Sequence, residues 1–190
     1  NGTLQLNSGG NISVASPAYG NSSTLIYATS YSPGLEWTGN NDTAGVGIPR
    51  NLTINNSATV TMPGTDRGIA GIFTLNSGAL ILTSANFYLG GSWIRVSGTT
   101  FTPNGNTVIF NSSQAPQTIR ISGNAETETF SGLTIANSFG VSISSVPPAT
   151  SVNVTGTFNL ELGAFTLNAR TLTISGNSVI RTSGTINASN

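Results

Sequence analysis

Two stretches of the chain, far apart, are nearly the same text written twice. Residues 52–62 (LTINNSATVTM) align without a gap to residues 133–143 (LTIANSFGVSI), and residues 71–91 (GIFTLNSGALILTSANFYLGG) align to 156–176 (GTFNLELGAFTLNARTLTISG). Thr24-Leu25-Ile26-Tyr27 matches Thr107-Val108-Ile109-Phe110, and Arg95-Val96-Ser97-Gly98-Thr99 matches Arg181-Thr182-Ser183-Gly184-Thr185. The offsets run from 81 to 86 residues. Such spacing constrains architecture more than any single motif, because equal units must be stacked or strung together. Residues 2–9 (GTLQLNSG) also match 71–78. The expected organisation is the tail of a preceding repeat over 1–18, a first unit over 19–101, and a second unit with the start of a further one over 102–190. On this reading the chain is a slice of a longer repetitive protein.

Within each unit the apolar residues alternate with period two, as in Phe73-x-Leu75, Leu80-x-Leu82, Phe158-x-Leu160 and Phe165-x-Leu167. Alternation puts one set of side chains inward and the other outward on a strand. Each run spans only three to five residues and is closed by Asn, Gly or Ser, which favour turns. No stretch has helical period, so the chain is expected to be all-β. Strand runs recur every 7–10 residues, which suits a right-handed parallel β-helix or β-solenoid with coils of about 20 residues, about four coils per unit. Tandem β-sandwich domains are the alternative. The expected core includes Phe73, Leu75, Leu80, Leu82, Phe158, Leu160, Phe165 and Leu167.

Composition narrows the function. Asn, Thr, Ser and Gly make up about half of the 190 residues, and only 6% are charged, against about 25% in ordinary globular proteins. The regular apolar alternation argues against disorder. Net charge is zero, all six cations are Arg, and no basic patch exists to neutralise phosphates, which speaks against nucleic acid. Without Cys or His, disulfide frameworks and Ser–His–Asp or Cys–His nucleophilic systems are excluded. The strand-forming text holds no apolar run of the ~20 residues that a membrane-spanning helix needs.

Residues 15–50 break the rhythm and hold three of the four Tyr and one of the two Trp, whereas their counterpart, 100–132, has neither. Insertions on one face of a solenoid are a usual place for function. Tyr27, Tyr31, Trp37 and Trp93 are therefore candidate sugar-stacking platforms; the competing expectation is that these aromatics pack or cap a longer loop. Glu126 and Glu128 share a strand face if 126–130 is extended, but paired carboxylates on a loop are expected to be solvated, and no catalytic residues are assigned. Glu36, Asn40, Asn41 and Asp42 are oxygen ligands close in sequence but lack the spacing of calcium loops, so no metal and no cofactor are expected. Thr-x-Thr pairs (Thr59/Thr61, Thr171/Thr173) raise ice binding, although Thr holds no fixed place in each coil.

The phrases LTINNSATVTM, GIFTLNSGALIL and FSGLTIANSFGVSI resemble the Asn/Thr/Gly-rich strand text of large secreted cell-surface proteins of Bacteroidetes, and the resemblance covers nearly the whole chain. It implies a parallel β-helix exported to the cell surface by type IX secretion, although no C-terminal sorting domain is visible. Asp42-Thr43-Ala44 looks like the Asp-Ser/Thr-apolar O-glycosylation motif of that group, which makes Thr43 a candidate glycan site. The functional expectation is a structural repeat segment of an extracellular fibre or adhesin, a stiff uncharged rod without enzyme activity. Its expected partners are other copies of itself or flanking repeats, and a surface polysaccharide. A carbohydrate-binding module is the alternative; a β-helix polysaccharide-degrading enzyme stands behind it.

Overall fold

A computed structural model, describing residues 2–39 and 43–188, shows an all-β solenoid of about nine turns with no helix among the described residues. Every strand pairing is parallel. The first face is one sheet in the order β1 (Thr3–Leu6), β2 (Thr24–Tyr27), β3 (Asn51–Ile54), β6 (Phe73–Leu75), β9 (Trp93–Val96), β12 (Gln117–Ser122), β15 (Val141–Ile143), β18 (Ala164–Thr166) and β21 (Thr185–Asn187). The second face is two sheets, β4 (Thr59–Met62), β7 (Ala79–Leu82) and β10 (Thr100–Thr102), then β13 (Glu126–Phe130), β16 (Thr150–Val154) and β19 (Leu172–Ile174). The third face runs β5 (Arg67–Ile69), β8 (Phe87–Leu89), β11 (Thr107–Phe110), β14 (Gly132–Ala136), β17 (Thr157–Leu162) and β20 (Ser178–Arg181). The chain is thus a parallel β-helix, and the sandwich alternative is excluded.

The alternating text explains each coil. In β3, β4 and β7 every second side chain is buried, and the positions between them are half-exposed. Asn and Gly turn the corners: Asn56 and Ser57 sit at φ 52° and 57°, Gly78 at 89°, conformations that most side chains resist. Asn side chains also ladder between coils there, with Asn76 Nδ2 donating to Asn55 Oδ1 at 3.0 Å. The inward residues form one continuous core. Seven of the eight expected core residues are buried; Leu167, just beyond β18, is half-buried and packs against the core edge. Each such Leu or Phe contributes about 1.5–3 kcal/mol by leaving water. An aromatic series runs through the middle coils, from Trp37 to Phe87, Phe73, Trp93 and Phe130. It continues across the 101/102 boundary, where Phe101 meets Phe130.

The repeated text does not fall on repeated faces. LTI of β3 lies on the first face, and its copy in β14 lies on the third. The same step takes β4 to β15, β6 to β17, β7 to β18, β8 to β19 and β9 to β20, eleven strands later each time. Eleven strands on a three-faced coil make three and two-thirds coils, not the four expected. The unit is a string of strand-and-corner modules that fits any face.

Two places carry charged residue types into the core: Glu36 and Arg67 near the amino-terminal end, and a seam on the second face. On the second face β10 and β13 are not paired, and the inward side of that seam holds Arg95, Glu126 and Glu128. Arg95 Nε meets Glu128 Oε2 and Arg95 Nη2 meets Glu126 Oε2, both at 2.9 Å. Trp93 Nε1 also donates to Glu128 Oε2, at 2.8 Å. The triad replaces ladder bonds: Gly98 N donates to Glu126 Oε1 and Arg95 Nη1 to the Thr99 carbonyl. Glu126 and Glu128 do share a strand face, but the expectation that they are solvated is corrected for Glu128, which is buried; Glu126, at the edge of the seam, stays partly exposed. Burial pushes the Glu128 carboxyl above its usual range despite the Arg95 charge beside it.

Candidate functional site

Coil length positions the site. Registered partners on the first face are 27 residues apart between Thr24 and Asn51, then 21 (Leu52 to Phe73), 20 (Phe73 to Trp93) and 26 (Trp93 to Ile119). Two enlarged coils therefore flank two minimal ones. Parts of both insertions, residues 43–50 and 111–116, meet at the corner between the third and first faces, where they are walls and the minimal corners are the floor. The result is an open groove of ≈ 500 Å³, lined by Tyr19, Asn21, Arg50, Ser113 and Gln114 over a floor of Ala70 and Gly90. Coil stacking keeps the floor bare, since a Cβ at Gly90 would lie 2.7 Å from the Ala70 carbonyl oxygen. Arg50 lies across the neighbouring Gly71, where an added Cβ would come within 3.3 Å of Arg50 Nε.

Buried polar groups hold each wall. Behind the amino-terminal wall, Glu36 is wholly buried; its Oε1 accepts from Tyr27 Oη at 2.7 Å and from Gly34 N at 2.8 Å. Tyr19 Oη donates to the Glu36 carbonyl at 2.6 Å, which fixes the ring that lines the groove. Trp37 Nε1 donates to the Gly68 carbonyl, and the Arg67 guanidinium lies 5.8 Å from the Trp37 ring. Arg67 Nη2 donates to the Pro33 carbonyl. Burial lowers the Arg67 pKa, and burial together with the Glu36 charge raises those of Tyr19 and Tyr27. Gly47 N donates to the Pro17 carbonyl and Thr38 N to the Gly47 carbonyl, closing the loop on itself. Behind the other wall, the buried Gln117 amide donates to the Leu89 and Gly91 carbonyls and accepts from Ser112 N and Asn137 Nδ2. Ser112 Oγ accepts from Gln114 N and Ala115 N.

The sequence candidates take other roles. Tyr27, Trp37 and Trp93 are 0% exposed, so none offers a ring face to a sugar. Tyr31 is half-buried, its ring centroid 5.4 Å from that of Tyr27. The stacking-platform assignment is corrected for Tyr27, Trp37 and Trp93, whose rings lie inside the coil, and the competing expectation of packed aromatics describes them. Glu36 faces the core, away from any surface calcium site, and Asn40, Asn41 and Asp42 lie outside the described residues. Thr43 lines the groove mouth; the Asp42 of its motif is not described. On the second face Thr59 and Thr61 stand beside Ala79 and Ile81, so no continuous Thr row forms there. Sequence reading missed Tyr19, Arg50 and Gln114, whose proximity depends on coil register. Comparison with protein-family models, curated proteins and solved structures gives no match for this chain.

Proposed function

We propose that the chain is a structural segment of a secreted, cell-surface fibre or adhesin, and that its role is mechanical rather than catalytic. One observation carries this reading: the parallel ladder of nine strands on the first face, stacked over one continuous apolar core. In the last coil Val179 stacks on Phe158 and Ile186 on Phe165, both inward positions, yet Val179 is 56% and Ile186 44% exposed. The edges of β19, β20 and β21 also leave backbone groups free for a further strand. Parallel pairing admits only a head-to-tail partner, a contact that propagates instead of closing. Few charges oppose it. The occupant in this reading is another copy of the chain, and the secreted setting rests on the resemblance of its strand text.

Sedimentation and negative-stain microscopy at micromolar concentration test it. The wild-type chain should form extended oligomers, and Val179→Lys/Ile186→Lys should sediment as a 19.4 kDa monomer. A wild-type chain that stays monomeric would remove the reading.

A further inference from the structure

We propose that the groove between the two enlarged coils is a binding site for an acidic polysaccharide, with Arg50 holding a sugar carboxylate. This goes beyond the mechanical reading and does not depend on it.

The groove is built by register. Two insertions, separated in sequence by about 60 residues, flank one corner, and the two coils between them turn it with short connections, residues 70–72 and 90–92. The floor is two inter-strand spacings wide, about 10 Å, room for one extended chain to cross. Its volume, ≈ 500 Å³, lies within the range of ligand clefts. Both walls are held by buried polar groups, Glu36 with Tyr19 and Tyr27 on one side and Gln117 with Asn137 on the other. Burying a carboxyl group and a hydrogen-bonded amide pair is a costly way to fold a loop, and apolar residues would serve stability as well. What such groups do provide is a fixed wall, which spares a ligand the cost of ordering it.

The lining gives the ligand its chemistry. Amides and hydroxyls from Asn21, Ser113 and Gln114 match sugar hydroxyls, and Tyr19 contributes an aromatic surface for the C–H face of a pyranose ring. Among the described residues the lining has one ionised group, Arg50, and no carboxylate lies within 4.0 Å of it. A guanidinium fork matches a carboxylate with two parallel hydrogen bonds. The open side suits a chain that enters and leaves, and a small anion would leave most of the lining without a partner.

Isothermal titration of the full chain with oligogalacturonate, a matched neutral oligosaccharide and inorganic phosphate tests the proposal. Oligogalacturonate should bind, and more weakly as salt rises. Arg50→Gln should weaken it at least tenfold, and Ser113→Trp, which fills the groove from an exposed position, should abolish it. Both substitutions sit at exposed residues, so thermal unfolding at the wild-type midpoint confirms the fold. Three results would overturn the proposal: no oligogalacturonate binding at millimolar concentration, binding unchanged in both variants, or phosphate or the neutral sugar binding equally well.

Discussion

On the third face the inward positions are covered at the amino-terminal end of the ladder, and at its carboxy-terminal end the equivalent positions are bare. Arg67 opens the inward ladder of the third face, and Trp37, Glu36 and Tyr27 close over it until all three are 0% exposed. On the same ladder Phe158 is fully buried, while Val179, one coil further, stands in solvent. The adjacent pair is sharper still: Leu160 is buried and its registered partner in the last coil is Arg181, an exposed cation. An inward residue becomes core only when the next coil lies over it, so burial belongs to the stack and not to the strand.

This comparison can be broken by substitution. The largest effect is expected for Leu160→Asp, which places a charge where the covered coil has no partner for it; urea unfolding should show a loss above about 4 kcal/mol. A near-neutral result would mean that Leu160 is as free as Arg181. Arg95→Met removes the cation facing Glu126 and Glu128 and should cost about 3–5 kcal/mol, whereas Arg95→Leu combined with Glu126→Leu and Glu128→Leu should recover much of that loss. Phe158→Ala should cost about 3–5 kcal/mol, against no more than about 0.5 kcal/mol for Val179→Ala measured on the monomer. Equal losses at the two positions would show that the last coil is covered in solution. Tyr27→Phe leaves Glu36 Oε1 with Gly34 N alone and should cost about 1–3 kcal/mol in the amino-terminal coils.

The smallest effect is a pH dependence. The folded pKa of Glu128 is raised above its ordinary value of 4.5, so the folded state holds the proton more tightly than the unfolded chain. Its contribution therefore grows as pH falls through the folded pKa toward 4.5 and is lost as pH rises through that pKa. Relative to Glu128→Gln, the wild type should gain stability on acidification across this window. A loss there would mean that ion pairing with Arg95, not burial, controls the carboxyl.

Much of the fold was legible because period-two alternation and corner Asn or Gly are local signals: Phe73-x-Leu75 and Leu80-x-Leu82 announce their inward sides without knowledge of any neighbour. The faces were not legible. A module such as LTI fits the first face at 52–54 and the third at 133–135, since all three faces ask for the same alternation. The aromatics of 15–50 leave two expectations open for a related reason, because a Trp in a Gly-rich loop reads the same whether the loop stands off the coil or folds into it. Glu128 reads as solvated in the sequence because its inward direction follows from β13, whose text, ETETF, has few apolar residues to mark a face. The groove depends on the series 27, 21, 20 and 26, which exists only once strands are paired.

The three-and-two-thirds-coil step has a geometric result. A unit and its copy are related by a screw: a translation of about 18 Å along the axis and a turn of one face, roughly 120°. Side chains displayed outward by the first copy, such as Thr74 on β6, have their counterparts on another side of the rod, as Asn159 on β17. Three successive units would return to the starting side after about 53 Å. A rod made this way has no single sticky edge. A flat surface pressed against it would meet each feature once per thread, and the rod could grip in every direction around its circumference with one repeated text.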